Sequence, residues 1–215
     1  MTGVDLFCHS LDVDASRLNA LQDLLTADER GRAARFHFEK HRRRFIAARG
    51  MLRELLGQYL AMDAAAIEFS YNPFGKPAVD GVYFNLSHSD NLALYAVSRT
   101  REVGVDIERV NPAFAGEQIP EQYFSPAEVK ILRSLPKDRQ IEGFFNCWTR
   151  KEAYIKARGL GLSLELDSFD VTLAPGDPAA FLRGAGDWSI EALEPAPGFV
   201  GAVVAAGTAA SERPS

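Results

Sequence analysis

The chain has 215 residues, of which 47% are hydrophobic and 25% charged, and its formal net charge is −5. This profile is typical of a folded globular protein and excludes the disordered, collagen-like and disulfide-scaffold classes. The longest small apolar run, Phe199 to Ala206, is too short to cross a membrane, and no basic segment of a signal peptide opens the chain. Because Cys8 and Cys147 stand far apart, without zinc-binding spacing, we expect a cytoplasmic protein.

The charge is unevenly distributed along the chain. Residues 30–53 contain nine Lys or Arg and one Glu, a net +8 that leaves −13 for the remainder. The acidic whole argues against a nucleic-acid partner, whereas the basic segment, which includes Lys40 to Arg44, favours an anionic ligand or protein. A solvated helix face is the alternative for such a run.

Helix and strand patterns follow one another twice. The first half predicts a strand at Leu6 to His9, helices from Thr26 to about Leu60, and strands at Val82 to Ser87, Asn91 to Ser98 and Val103 to Glu108. Short turns predict that these last three strands form an antiparallel meander. The second half predicts helices from near Ser125 and Glu142, then strands near residues 168–173, 188–193 and 199–205. Capping boxes at Thr26 to Glu29 and Ser125 to Glu128 mark two of the helix starts.

The two halves also match in sequence. An offset of 109 residues aligns Phe45 with Tyr154 and Gly50 with Gly159, and it places strand 92–97 on residues 201–206. Helices and a strand in one register predict an internal duplication. We therefore expect an α+β protein with one half at 1–108 and another at 109–215, connected through Arg109 to Pro120.

The segment Val103 to Glu108 reads V-G-V-D-I-E. Strand alternation places Asp106 and Glu108 on one face. Two adjacent carboxylates repel each other, and a divalent cation between them, Mg²⁺ above all, relieves the repulsion. Carboxylates that face solvent at a strand end are the alternative.

A predicted helix over residues 144–156 carries Phe144, Phe145 and Ile155, with Trp148, on one apolar stripe. Glu152 falls inside this stripe, where a carboxylate needs a cation or a metal, and Lys156 lies one turn further on. An ordinary Glu–Lys pair at the rim of the core is the alternative.

Two further segments contain anion-binding residue types. Ser87 and His88 are adjacent and lack a G-x-S-x-G elbow, which argues against a catalytic triad, but His88 and the hydroxyls of Ser87 and Ser89 are suitable phosphate donors. The alternative is a solvated histidine. The tripeptide Gly75 to Pro77 predicts a turn. The second interpretation is that the turn holds the cation of Lys76 rigidly for an anionic ligand.

Taken together, G-K-P at Gly75, F-N-L-S-H-S at Phe84, V-G-V-D-I-E at Val103 and W-T-R-K-E-A-Y-I-K-A at Trp148 resemble the 4′-phosphopantetheinyl transferases of the Sfp-like type over about residues 26–164. The resemblance implies a monomer of two α+β halves related by a pseudo-two-fold axis, with the active site in the cleft between them. It implies Mg²⁺-dependent transfer of the phosphopantetheine arm of coenzyme A to a serine of an apo carrier protein, with release of adenosine 3′,5′-bisphosphate. The W-x-x-K-E-A form is similar to the subgroup that serves polyketide and non-ribosomal peptide synthetases.

The resemblance also implies roles for individual residues. The metal ligands are Asp106, Glu108 and Glu152, with Glu152 also the base for the incoming serine and Lys156 stabilising the leaving phosphate. The residues implied to bind coenzyme A are Arg44, Gly75, Lys76, Pro77, Ser87, His88, Asp106, Lys151 and Lys156.

Carrier proteins are acidic around their modified serine, which suits docking on the basic segment, with apolar contacts from Phe114 to Phe124. Two other functions remain open from the sequence. One is a Mg²⁺-dependent phosphohydrolase that uses the same carboxylates with water. The other is a non-catalytic module that binds coenzyme A or a carrier.

Overall fold

The computed structural model describes residues 1–113 and 118–207. Part of the predicted docking segment, residues 114–117, therefore lies outside the described residues. No helix in the described ranges is both long and apolar enough to cross a membrane.

The first half contains β1 (Asp5–Ser10), α1 (Ala15–Asp23), α2 (Ala27–Ala34), α3 (Glu39–Leu60), β2 (Ser70–Tyr71), β3 (Pro77–Ala78), β4 (Tyr83–Ser89) and β5 (Leu92–Ser98). The second half contains β6 (Val103–Arg109), α4 (Gln118–Tyr123), α5 (Pro126–Ser134), α6 (Lys137–Arg158), β7 (Asp170–Val171), β8 (Phe181–Arg183), β9 (Trp188–Leu193) and β10 (Phe199–Ala206).

The two main sheets have the same antiparallel topology. One has the strand order β1-β5-β4 and the other β6-β10-β9, so that in each half the first strand pairs with the last and the last pairs with the one before it. Each half adds a small two-stranded hairpin, β2-β3 or β7-β8. The α+β prediction with two similar halves is confirmed.

The predicted meander is wrong for its third strand. Strand β5 pairs with β1 on one edge and β4 on the other, which leaves no edge for β6, and β6 pairs with β10 instead. The division between the two sheets therefore falls in the turn at residues 99–102 and precedes the connection predicted at Arg109 to Pro120.

The 109-residue offset is also corrected. Helices α3 and α6 each have 22 residues and begin 98 residues apart, at Glu39 and Lys137. The offset of 109 residues is therefore 11 residues too long for these helices. Because 11 residues make about three helical turns, the offset of 109 still aligns residues that lie on similar helix faces. In the strands the register pairs Val97 with Asp5 and Ala205 with Val103, which makes β5 and β10 equivalent at an offset of 108.

Both predicted capping boxes are present, and each glutamate has a second role in the core. Glu29 is 5% exposed and Glu128 0% exposed. Arg53 Nε lies 2.7 Å from Glu29 Oε2, and Lys151 Nζ lies 2.8 Å from Glu128 Oε2. Since Arg53 and Lys151 are 98 residues apart, they are equivalent members of the repeat.

Strand β6 and helix α6 approach each other closely at Gly104. A Cβ atom added there would lie 2.2 Å from both the carbonyl oxygen of Ala153 and the backbone nitrogen of Ala157. Gly104, Asp106 and Glu108 share one face of β6, since alternate residues of a strand point the same way. The other face, which includes Val105, packs in the core shared by the two sheets.

We expect the substitution Gly104→Ala to lower the free energy of unfolding by about 3 kcal/mol, because helix backbone cannot yield as a flexible side chain does. Urea denaturation measures this. Gly31→Ala is the matched control: Gly31 has nothing within 4 Å and lies in helix α2, so alanine there should stabilise the protein by about 0.5–1 kcal/mol. Equal stability of Gly104→Ala and the wild type would contradict the close approach.

Candidate active site

Strands β4 and β6 lie side by side where the two halves meet, and side chains of β4 form the hydrogen bonds between them. Ser87 Oγ donates to Asp106 Oδ1 at 2.8 Å, and Ser89 Oγ donates to Glu108 Oε2 at 2.8 Å. Asn85 Oδ1 accepts the backbone N–H of residue 105 at 2.9 Å. Alternate residues of β4 therefore hold both carboxylates of the D-x-E segment.

Asp106 is the most buried carboxylate at this junction, with 2% of its surface exposed. Lys156 Nζ lies 2.6 Å from its Oδ1 and 2.8 Å from Ser87 Oγ. Its other oxygen, Oδ2, is buried and has no hydrogen-bond partner among the described residues. An unpaired carboxylate oxygen in a buried position is costly, and a cation would remove that cost.

The neighbouring carboxylates share this electrostatic environment. Burial raises the pKa of Glu108, and Asp106 raises it further, while the hydrogen bond from Ser89 opposes the shift. Burial also raises the pKa of Glu152, with Lys156 opposing and Asp106 adding to the shift. The Glu152 carboxylate makes no hydrogen bond or ion pair with any residue that the structure describes, which leaves it available to a ligand.

A cavity of about 310 Å³ opens beside these groups. One wall is the loop Phe74 to Pro77 of the first half, and the opposite wall is α6, through Glu152, Ile155 and Lys156. The structure thus brings together Gly75, Lys76 and Pro77 with both predicted catalytic residues. Lys76 Nζ donates to the Ala157 carbonyl at 2.6 Å, and burial lowers the pKa of this ammonium.

His88 follows Ser87 on β4, and Arg44 of α3 contacts Asp90 in the turn after this strand. Desolvation lowers the pKa of His88, and the positive charges of Lys156, Arg44 and His41 lower it further, so these four groups form one basic cluster. The guanidinium of Arg44 is already paired: Nε and Nη2 donate to Asp12 at 2.9 and 3.0 Å, and Nη1 donates to Asp90 at 2.8 Å.

Two family models divide the chain where its two sheets divide. A model described as "4'-phosphopantetheinyl transferase, N-terminal" matches residues 13–100, and one described as the 4′-phosphopantetheinyl transferase superfamily matches residues 102–204. The 4′-phosphopantetheinyl transferase HetI of Nostoc sp. is 43% identical over 210 residues, which cover 95% of this chain and 88% of that protein. The chain belongs to the 4′-phosphopantetheinyl transferase family.

Other relatives agree with this membership. The 4′-phosphopantetheinyl transferase Sfp of Bacillus subtilis is 32% identical over 152 residues, covering 69% of this chain and 66% of Sfp. A solved ACPS–CoA complex from Chronobacterium ammoniagenes aligns with 51% of this chain and 98% of its own at 21% identity, with a TM-score of 0.38.

One residue predicted to bind coenzyme A, Lys151, is buried in the core. Lys151 is 0% exposed, and its ammonium is bound by Glu128 and by the carbonyl oxygens of Leu166 and Phe169, both at 2.6 Å. The prediction that Lys151 contacts a phosphate is therefore corrected: its cation neutralises the capping-box glutamate in the core of the second half.

The hydroxyls of Ser87 and Ser89 also act differently from the expectation, since they donate to carboxylates at the junction. Sequence reasoning missed Asn85, although its spacing of two from Ser87 was the available indication. In the described ranges, no three His, Cys, Asp or Glu side chains form a ready-made metal-binding group. The predicted trio of Asp106, Glu108 and Glu152 is thus close enough to interact electrostatically, without preformed coordination.

We expect Glu152→Gln to stabilise the ligand-free transferase at pH 7. The pKa of Glu152 is raised above the ordinary value of 4.5 in the folded protein, so the native state holds this proton more tightly than the unfolded chain. Stability therefore falls as the pH rises from 4.5 through the raised pKa. The advantage of the glutamine variant should be largest at pH 7 and disappear below about pH 4.

Urea denaturation at a series of pH values measures this difference, with Glu142→Gln on the exposed face of the same helix as control. An advantage that does not change with pH would show that burial of the Glu152 charge is not its source.

Proposed function

We propose that the transferase moves the 4′-phosphopantetheine arm of coenzyme A to a serine hydroxyl of an apo acyl or peptidyl carrier protein and releases adenosine 3′,5′-bisphosphate. The observation that carries the proposal is the buried Asp106 carboxylate. One of its oxygens binds Lys156, which lines a ligand-sized cavity, and the other has no hydrogen-bond partner among the described residues. Membership of the family supports the reaction class.

The residues present fit a magnesium ion. The unpartnered Oδ2 of Asp106 and the raised pKa of Glu108 are both features that a divalent cation would relieve. Asp106 and Glu108 would hold the ion, with Glu152 as the third ligand. When bound, Mg²⁺ supplies charge neutralisation to the pyrophosphate of coenzyme A.

The protein's own groups then have distinct tasks. Glu152 takes the proton of the serine hydroxyl as the serine oxygen bonds to the phosphorus that carries the pantetheine arm. The bond from that phosphorus to the bridging oxygen of the nucleotide breaks, and the ammonium of Lys156 stabilises the charge that develops there. A raised pKa makes Glu152 a stronger base, which favours the proton-accepting role over tight metal binding.

Coenzyme A would lie along the junction. The loop Gly75 to Pro77 lines the cavity for its adenosine, and the basic cluster that contains His88 and Arg44 suits its phosphates. Because Arg44 is held by Asp12 and Asp90, a phosphate contact requires it to exchange or share these partners.

The carrier is an acidic protein that meets the basic segment. Coenzyme A and this carrier are the proposed partners, with no nucleic acid and no membrane. A monomeric state, a cytoplasmic location and a role in polyketide or non-ribosomal peptide synthesis stay predictions.

We expect Asp106→Asn to lower the rate of transfer at least about 100-fold, because it removes the charge that holds the metal. The assay incubates the protein with coenzyme A, Mg²⁺ and apo carrier proteins and detects the added arm by mass spectrometry. Asp170→Asn is the control, since Asp170 pairs with Arg183 at 2.9 Å outside the junction.

Chelation by EDTA should abolish transfer by the wild type. Phosphate release without a carrier would favour a phosphohydrolase, and coenzyme A binding without transfer to any carrier would favour a non-catalytic module. Transfer that survives both Asp106→Asn and EDTA would overturn the roles given to Asp106 and Mg²⁺, and absence of transfer to every carrier would overturn the proposed reaction.

We expect Arg42→Glu to raise the KM for the carrier by about 3–10-fold and to leave the KM for coenzyme A nearly unchanged. Arg42 lies on α3 in the basic segment, 47% exposed and paired with Glu39 at 2.5 Å. Arg139→Glu is closely matched, because Arg139 lies near the start of α6, is also 47% exposed and pairs with Glu142 at 3.0 Å. Charge reversal at Arg43 should act in the same direction as at Arg42. Equal effects of Arg42→Glu and Arg139→Glu would contradict docking on the basic segment.

A further inference from the structure

Asn72 lies at the start of the loop that forms the first-half wall of the cavity. Its side-chain Oδ1 accepts the backbone N–H groups of Phe74 and Lys76 at 3.0 and 2.9 Å. Its backbone carbonyl accepts the N–H of Gly75 at 2.9 Å, and its own N–H donates to the Lys76 carbonyl at 3.1 Å. One residue therefore satisfies three successive backbone donors and fixes the shape of the loop.

The same side chain also reaches the second half of the molecule. Asn72 Nδ2 donates to the carbonyl oxygen of Gly159 at 2.6 Å. Gly159 is the left-handed C-cap of α6, with φ +63°, and the last carbonyl groups of a helix have no partner within the helix. Lys76 Nζ caps the nearby carbonyl of Ala157. The loop is thus docked on the end of α6 by two side chains.

Helix α6 carries the opposite wall of the cavity. Glu152 and Lys156 line that wall, and Gly75 and Pro77 line the wall that Asn72 shapes. The hydrogen bond from Asn72 to Gly159 consequently sets the separation between the two walls, one from each half.

We propose that Asn72 is a positioning residue that docks the Phe74 to Pro77 loop on the C-terminus of α6 and so preorganises the cavity for coenzyme A. This inference rests on the proposed function, because coenzyme A is the ligand whose affinity it controls. Asn72 itself need not touch the ligand, and an amide is the side chain that can accept from the loop and donate to the helix at the same time.

Substitutions can separate these two actions. Asn72→Asp retains an oxygen that accepts the N–H groups of the loop. It removes the N–H group that donates to Gly159 and places a carboxylate oxygen beside the Gly159 carbonyl. Asn72→Ala removes both. Ser70→Ala is the matched control: the Ser70 hydroxyl donates to the Ala78 carbonyl within the same hairpin at 3.3 Å and forms no hydrogen bond to the described residues of α6.

Calorimetric titration with coenzyme A and amide hydrogen exchange of residues 74–76 in the ligand-free protein test the proposal. We expect Asn72→Asp and Asn72→Ala each to weaken coenzyme A binding by about tenfold or more, with unfolding midpoints near that of the wild type and no change for Ser70→Ala. Loop exchange should accelerate in Asn72→Ala.

Wild-type affinity in Asn72→Asp would overturn the docking role even if Asn72→Ala binds weakly, since the loop turn alone would then explain the result. Failure of the wild type to bind coenzyme A would count against the proposed function, and the exchange rates, which need no ligand, would still decide whether Asn72 holds the loop.

Discussion

The burial of the Asp106 carboxylate is the constraint on which the site depends. A charge that is 2% exposed must be solvated by the protein, and its partners come from both halves: Ser87 from β4 and Lys156 from α6. Lys156 reaches it only because Gly104, two residues earlier on the same face of β6, allows α6 to lie against the strand. The absence of a Cβ at Gly104 and the charge at Asp106 are therefore parts of one arrangement, which joins the halves and creates the cleft.

The repeat explains why a doubled chain has one such site. Counting 98 residues back from Asp106, Glu108, Glu152 and Lys156 gives, in the same order, Cys8, Ser10, Glu54 and Gln58. Only Glu54 retains a carboxylate, and Arg17 binds it at 2.7 Å and 2.5 Å. The first half thus lacks, at the equivalent positions, the cluster of charges that would need a cation, while its strand β4 supplies the serines that bind the carboxylates of the second half. One half therefore positions the reactive groups and the other half carries them.

Local patterns predicted local structure well, and pairing between distant segments was less predictable. The capping boxes and the apolar stripe of α6 follow from residue chemistry within a few turns, so both were correct. The partner of β6 depends on which strand edges are already occupied, a property that short turns do not reveal. Lys151 shows the same limit. Its positive charge and its position in the motif are typical of a residue that binds phosphate, but it is 0% exposed because it pairs with Glu128, 23 residues earlier. The turn predicted at Gly75 to Pro77 is a local feature, whereas the hydrogen bond from Asn72 to Gly159, 87 residues away, depends on the fold.

The net charge of the basic segment is larger than the charge that it presents to solvent. Arg49 and Arg53, at its C-terminal end, are 8% and 1% exposed, and both face Glu29. They stabilise the core of the first half and present little charge to solvent. The N-terminal turn of α3 differs, because Lys40 has a side chain 62% exposed and the preceding Phe38 is itself 65% exposed. An anionic protein that approaches this segment therefore meets a surface that is basic and aromatic together, and such a surface favours a partner that offers apolar contacts beside its acidic groups over a purely polyanionic one.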